Sequence, residues 1–403
     1  MKSILFVDDE QPVLDGLRLR LHRLHTKWRM EFVNSGAQAI EQMQARPYDV
    51  IVTDMRMPVM DGEKLLEIVS ARWPQAIRIV LSGYSELDQT ARLVSVAHQY
   101  LSKPCQPQQL ENVIDRCLLL HELLNQPRLR EIVGRIRKLP SLPGIYVALQ
   151  SIVRNENVSL SEVAALVTAD SALAARVLQI VNSAFFRLSR KISNIEQAVS
   201  YLGFQTIRNL ALSVGVFSQW PAGACAGLDF KKLQQHAHTV AAAAGAFTAK
   251  TPLADDAMLA GLLHDIGYWI LAQECPDELQ RAVELAVATR IPLHCAETQI
   301  IGASHAEIGA YLLGIWGLPY PVVEAVAHHH QPERVAHSSF DVLAAIVIGQ
   351  SLAPTGDESA FGTDVPPDPK LDENYLVAVQ APFDWTEAKR RIADITQSSE
   401  IAA

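Results

Sequence analysis

Cysteine is scarce and scattered. The five thiols, Cys105, Cys117, Cys225, Cys275 and Cys295, form no C-x-x-C pair, which argues against a zinc ribbon or a redox motif and leaves reduced, structural thiols as the reading. Long hydrophobic runs are missing too. No stretch approaches the roughly 18 apolar residues a membrane helix needs, and the chain enters a strand-like run, Ile4 to Val7, without a signal-peptide layout, so a cytoplasmic setting is expected. Positive charge is in deficit: the formal charge is −9, split as about −2 over residues 1–125, +6 over 126–210 and −13 over 211–403. A general nucleic-acid binder is excluded on that balance, and no direct DNA binding is expected. The basic middle (Arg128, Arg130, Arg135, Arg137, Lys138, Arg187, Arg190, Lys191) reads as a solvated face or a contact for an acidic partner. With 403 residues, 49% of them apolar and 20% charged, the chain can bury full cores in two domains.

From residue 1 to about 125, short β-branched runs alternate with amphipathic stretches, the pattern of βα units around a parallel sheet. The strands expected are Ile4–Val7, Glu31–Val33, Val50–Thr53, Ile79–Leu81 and Tyr100–Ser102. Between them, positions such as Val13, Leu17, Leu21 and Leu24 recur at helical spacing, one crossover helix per interval. Gln108 to Leu124 reads as one long helix with Val113, Cys117, Leu120 and Leu124 at heptad-like spacing until Pro127 interrupts it. It either pairs with a second copy, making a homodimer, or packs on its own sheet.

Beyond Pro143 strand signals nearly vanish. Helix-period segments run at Tyr146–Arg154, Leu160–Thr168, Leu173–Asn182, Ile195–Leu202, Thr206–Gln219, Lys232–Ala249, Asp256–Glu274, Asp277–Thr289, His305–Trp316, Val322–His330 and Asp341–Leu352. Residues 354–375, rich in Pro, Gly and Asp, read as a surface loop before a short helix near Trp385–Ile395. The expectation is a multidomain chain: an α/β, doubly wound, five-stranded parallel sheet over 1–106, a connecting helix over 107–131, an all-α domain over 132–352 and a C-terminal loop and helix over 353–403.

Asp8 and Asp9 follow the first strand and Asp54 follows the third. In a parallel sheet the C-terminal strand ends share one crevice, so these acids meet there. Their mutual repulsion calls for a hard divalent cation such as Mg²⁺. Ser82 and Lys103 end the fourth and fifth strands and bring a hydroxyl and an ammonium to the same rim, the donor and counter-charge that a phosphoryl group on Asp54 needs. With V-D-D-E at Val7–Glu10, D-M-R-M-P-V-M-D-G at Asp54–Gly62, L-S-G-Y at Leu81–Tyr84 and L-S-K-P at Leu101–Pro104, residues 1–125 resemble the receiver domain of two-component response regulators. The resemblance implies that Asp54 accepts a phosphoryl group from a histidine kinase, that Asp8, Asp9 and Asp54 hold Mg²⁺, and that Ser82 and Lys103 sense the phosphate. It also matches Tyr100 to the family's aromatic switch and Pro104 to its cis-proline position.

Nine of the thirteen histidines lie after residue 211. His238, His264 with Asp265, His305, and His329 with His330 fall on successive helices, which is the donor set of a transition-metal site in a bundle interior. The flanking L-P-S-L-P at Leu139–Pro143, the stretch Thr168–Phe186, Ile192–Gly203 and Glu297–Pro319 resemble the HDOD family over about 132–352, an output module related to HD hydrolases whose members are mostly regarded as non-catalytic signalling modules. An HD-GYP phosphodiesterase would carry lysine where Tyr268 stands, a G-Y-P loop where Gln331–Arg334 stands, and a last ligand aspartate near Gly349–Gln350. Three readings of the histidines stand open: relic ligands, a retained Fe, Mn or Zn, and a working phosphohydrolase. His294, His328 and His337 fit no motif position, while Trp316 and the Phe185–Phe186 pair read as core.

The function these readings imply is a response regulator phosphorylated on Asp54, with a non-catalytic output domain that acts through a downstream signalling protein, by family association one in a cyclic-dinucleotide pathway. The alternative is a receiver-gated, metal-dependent phosphodiesterase.

Overall fold

The computed structural model describes residues 1–82, 96–103, 105, 107–123, 127–136, 159–182, 191–212, 227–249, 251–335, 339–353, 360–361, 365–366, 371, 373–390 and 392–393. Its first 102 residues carry β1 (Lys2–Val7), β2 (Trp28–Val33), β3 (Val50–Asp54), β4 (Ile77–Ser82) and β5 (Gln99–Ser102). These strands pair in parallel in the order β2-β1-β3-β4-β5. The β-branched run of the central β3 is buried on both faces, as a sheet covered by crossover helices demands, while the edge strand β2 is only partly buried. Side-chain alternation divides the strand residues between the two faces. Ile4, Phe6, Val52, Ile79 and Leu101 face α1 (Gln11–Leu21) and α4 (Pro107–Leu123), while Leu5, Val7, Ile51, Val80 and Tyr100 face α2 (Gly36–Ala45) and α3 (Gly62–Arg72). The crossover helix expected between β4 and β5 lies outside the described residues. On α4, Val113 and Cys117 are buried in the core of their own sheet, while the side chain of Leu120 and residue Leu124 lie outside what is described.

α4 is described to Leu123, residues 124–126 lie outside the described residues, and a further helix, α5 (Pro127–Arg135), opens on the expected proline. Its apolar residues Leu129, Ile132 and Val133 join the sheet's second face to the helical half in one continuous core. That half contains α6 (Leu160–Thr168), α7 (Ser171–Asn182), α8 (Ile195–Leu212), α9 (Phe230–Phe247), α10 (Ala254–Leu263), α11 (Ile266–Glu274), α12 (Pro276–Thr289), α13 (Leu293–Ile300), α14 (His305–Ile315), α15 (Tyr320–His328), α16 (Val342–Leu352) and α17 (Glu373–Ala378). Among the described residues it has no strand.

Local chemistry sets the helix starts. Ser159 and Ser304 form capping boxes with Glu162 and Glu307, and Asp229 and Asp341 accept from the first turns of α9 and α16. Three expectations need correcting. The segment Asp256–Glu274 is two helices broken at His264–Asp265, where Asp265 leaves helical geometry. Residues Leu293–Ile300 form a helix that a short, Pro292-led segment did not announce, and Glu373–Ala378 adds helix at the end of the expected loop. The expected helix Tyr146–Arg154 and the pair Phe185–Phe186 lie outside the described residues. No single helix, among the described residues, is long and apolar enough to cross a membrane.

Candidate functional site

Strand register brings the acids together. Val7 pairs with Thr53, Asp54 with Leu81 and Ser82 with Ser102, so the C-terminal ends of β1, β3, β4 and β5 form one rim. Asp8 is buried at 1% exposure and Asp54 at 7%, while Asp9 stands exposed. The Lys103 ammonium lies 2.7 Å from Asp8 Oδ2 and also ion-pairs Asp54. Asp8 Oδ1 accepts from the Glu10 amide at 3.0 Å and Asp54 Oδ2 from the Arg56 amide at 2.9 Å, which fixes both carboxylates. Burial, reinforced by the Asp8 charge, raises the Asp54 pKa above the ordinary carboxylate value against the pull of Lys103. Burial alone would lower Lys103, but its bonds to Asp54 and Asp8 prevail and raise it. Gly62 is obligatory here, because a Cβ at that position would lie 2.2 Å from the Asp54 carbonyl oxygen. Two buried carboxylates that share one ammonium, with the exposed Asp9 next to Asp8 in sequence, form the oxygen-rich set that suits a hard divalent cation.

The second cluster lies in the helical half. His264 and Asp265 sit at the break between α10 and α11, His305 opens α14, and His329 and His330 follow α15. Asp265 lies at the centre, its carboxylate 3.1 Å from His264 Nε2, 3.4 Å from His305 Nε2 and 3.8 Å from His329 Nε2. His330 Nε2 is 2.9 Å from His305 Nε2. The other ring nitrogens are committed outward: His264 Nδ1 to Gly261 O at 2.7 Å, His329 Nδ1 to Val326 O at 2.8 Å and His305 Nδ1 to Glu297 at 2.8 Å. Carbonyl and carboxylate oxygens only accept, so each Nδ1 carries a proton and each Nε2 faces inward, where a neutral ring offers its lone pair. Nε2 of His264 and of His329 is buried and makes no hydrogen bond, although the Asp265 carboxylate lies 3.1 Å from the first.

A set of inward lone pairs against a buried carboxylate fits a borderline metal ion such as Zn, Fe or Mn. Acceptors behind the rings are the usual second layer of such a site. The charge balance says the same. Burial alone would lower the His305 pKa, but Glu297 and Asp265 drive it up to about 10, so without a metal this ring holds a proton. Burial works to raise Asp265, yet the neighbouring histidines hold it well below the usual range. The ligand atoms of His305, His329 and His330 lie within 4.8 Å of one another, as do those of His236, His264 and Asp265.

His236 therefore takes the place expected of His238. Two residues on a helix point to nearly opposite sides, and His238 turns to Gln234 and the Ala169 carbonyl, where burial lowers its pKa. His294, read as ordinary, stacks on His330 with ring centres 4.5 Å apart. Glu297 was missed as well; it binds both the backbone and the ring of His305. Tyr268 stacks on the His305 ring at 3.9 Å, and Phe361 packs edge-on against Tyr268 at 4.9 Å. Gly349 faces Val240 and Ala243 of α9.

A third group of polar residues closes the junction of the two halves. The fully buried Tyr100 donates to Ala97 O at 3.2 Å, and the same carbonyl accepts from Gln179 at 3.3 Å. Arg176 donates to Gln179 at 3.1 Å and lies 4.5 Å from the centre of the Trp316 ring. Gln99, beside Tyr100, donates to Ile315 O, and Arg78 to Gly134 O at 3.0 Å. Burial raises the Tyr100 pKa and lowers that of Arg176 to about 10.

Residues 4–115 match the model of the response regulator receiver domain, and residues 139–332 match that of the HDOD domain. The chain is a receiver–HDOD response regulator. An uncharacterized protein of Treponema pallidum is 32% identical to this regulator over 202 residues, 49% of this chain and 39% of its own length. The hydrogenase transcriptional regulatory protein HoxA of Cupriavidus necator is 35% identical over 114 residues, 28% of this chain and 23% of its own. The regulator thus spans well under half the length of these two relatives. Among solved structures, the MmoQ response regulator of Methylococcus capsulatus is similar at 20% identity, covering 63% of this chain and 98% of that one, with a TM-score of 0.49. Membership of the receiver family implies a phosphodonor such as a histidine kinase. Pro104 lies outside the described residues.

Proposed function

We propose that a histidine kinase phosphorylates this response regulator on Asp54 and that its HDOD domain passes the signal on by binding a downstream protein. The observation that carries this reading is Lys103, paired at once with Asp8 and Asp54 at the rim where the strand ends meet. Asp54 attacks the phosphorus of the donor phosphohistidine; the P–N bond breaks, its electron pair returns to the imidazole, and an acyl phosphate results. Asp8, Asp9 and Asp54 would hold Mg²⁺, which supplies the positive charge that two buried carboxylates and an incoming phosphoryl group require. Lys103 then pairs with the new phosphate, and Ser82, at the end of β4, is the residue assigned to sense it. Incubation with acetyl phosphate and Mg²⁺ tests this: intact mass should gain one phosphoryl group, and Asp54→Asn should gain none. An unmodified wild-type chain, or an equally modified variant, removes Asp54 from the role.

The inward Nε2 atoms of the HDOD domain support a second assignment, a metal held by His236, His264, Asp265, His305, His329 and His330. With Tyr268 lying on His305 and Phe361 closing over Tyr268, the metal's role in this reading is structural or sensory and not hydrolytic. Elemental analysis of protein purified without chelator or affinity metal should find at least one Fe, Mn or Zn per chain. A metal-free chain overturns this assignment, and phosphodiester hydrolysis lost on His264→Ala with Asp265→Ala overturns the non-hydrolytic role.

A further inference from the structure

The two sites lie in different domains, yet one helix touches the surroundings of both. We infer that α14 is the rod that carries the state of Tyr100 to the histidine nest, with Arg176 as the joint between them. At its C-terminal end, the Ile315 carbonyl accepts from Gln99, and Trp316 lies beneath the Arg176 guanidinium. Arg176 donates to Gln179, whose amide shares the Ala97 carbonyl with the Tyr100 hydroxyl. Tyr100, Ala97, Gln179, Arg176 and Trp316 thus form one unbroken run of contacts. A Tyr100 ring that moves gives up its bond to Ala97 and loosens Gln179 with it.

The N-terminal end of α14 is His305, whose amide and ring both bind Glu297 and whose Nε2 faces Asp265. The ends lie about 15 Å apart at 1.5 Å per residue. Ten of the eleven α14 residues are buried, Glu307 being the partly exposed one. Close packing leaves such a helix no means of absorbing a shift at one end by local bending, so it moves as a unit. Gly267 enforces the contact at the far end, since a Cβ there would lie 1.9 Å from the His305 carbonyl oxygen. A displacement of α14 therefore alters the Nε2 geometry around Asp265. The effect is reciprocal: whatever occupies the nest biases Tyr100 in turn.

The inference rests on Asp54 phosphorylation for its trigger but needs no metal. Hydrogen–deuterium exchange on the full chain tests it, with beryllofluoride and Mg²⁺ standing in for the phosphoryl group. Amides at the His305 end of α14 should change their exchange rate by about tenfold, within the usual range for coupled sites. Arg176→Met, and separately Gln99→Leu, should still bind beryllofluoride and show the change in the receiver, but lose it at His305. A change that stops at β5, or one that survives at His305 in both variants, overturns the rod. If beryllofluoride fails to bind, the phosphorylation reading fails instead. Tyr100→Ala then perturbs the switch directly, and unaltered exchange at His305 in that variant overturns the inference.

Discussion

The Arg176 guanidinium lies 4.5 Å from the centre of the Trp316 ring, and both side chains are buried at 1% exposure in the junction between the receiver and HDOD domains. Burying a cation there is costly, and burial brings its pKa down to about 10. A long apolar residue of similar volume should replace it without loss. Arg176→Met is expected to melt within about 2 °C of the wild type, whereas Arg176→Ala, which leaves a void against Trp316, should lose about 3 kcal/mol. Thermal denaturation of the two variants checks this, and equal losses would show the charge itself to be stabilising.

Asp54 sets a second expectation, with its sign fixed by burial. Its folded pKa lies above the ordinary 3.8, so the native chain binds this proton more tightly than the unfolded one. Its contribution is therefore lost as pH rises from about 3.8 through the folded value. In EDTA at pH 7, Asp54→Asn should melt higher than the wild type, and the gain should vanish near pH 3.8. A variant that melts lower at pH 7 would mean that the Lys103 ion pairs outweigh burial.

Glu297 holds the His305 ring from behind, while His238 points away from the nest. Glu297→Gln should weaken metal binding about 10- to 100-fold in a chelator competition assay. His238→Ala should leave metal content unchanged and His236→Ala should lower it; the reverse pattern would restore His238 as the ligand.

Val59, in the loop after Asp54, has φ of 69° and is fully exposed. A β-branched residue in left-handed geometry is strained, and asparagine tolerates it far better. Val59→Asn should gain about 1 kcal/mol in denaturant unfolding. No gain would show that the loop relaxes at no cost.

Much of this was legible in the sequence because the signals were redundant. The five strands announced themselves as β-branched runs, and Asp8, Asp54 and Lys103 converge because strand ends of a parallel sheet must. Strand starts such as Trp28–Met30 were missed, since Trp-Arg-Met carries no alternation at a sheet edge. The histidine nest was legible as a set, but not in which of His236 and His238 faces inward. Both lie in an alanine-rich helix with little hydrophobic contrast to fix its rotation. Glu297 was invisible because α13 was unrecognised, and the Arg176–Trp316 contact joins residues 140 positions apart, beyond any local pattern.

The central claim, that the state of Asp54 is felt in the HDOD domain, is tested most directly at Trp316. With fluorotryptophan incorporated at all six tryptophans and the Trp316 signal assigned by its loss in Trp316→Phe, fluorine NMR reads that ring alone. Beryllofluoride with Mg²⁺ should shift the Trp316 resonance in the wild type and leave it in place in Asp54→Asn. A Trp316 signal that stays fixed while Asp54 carries beryllofluoride would contradict the account.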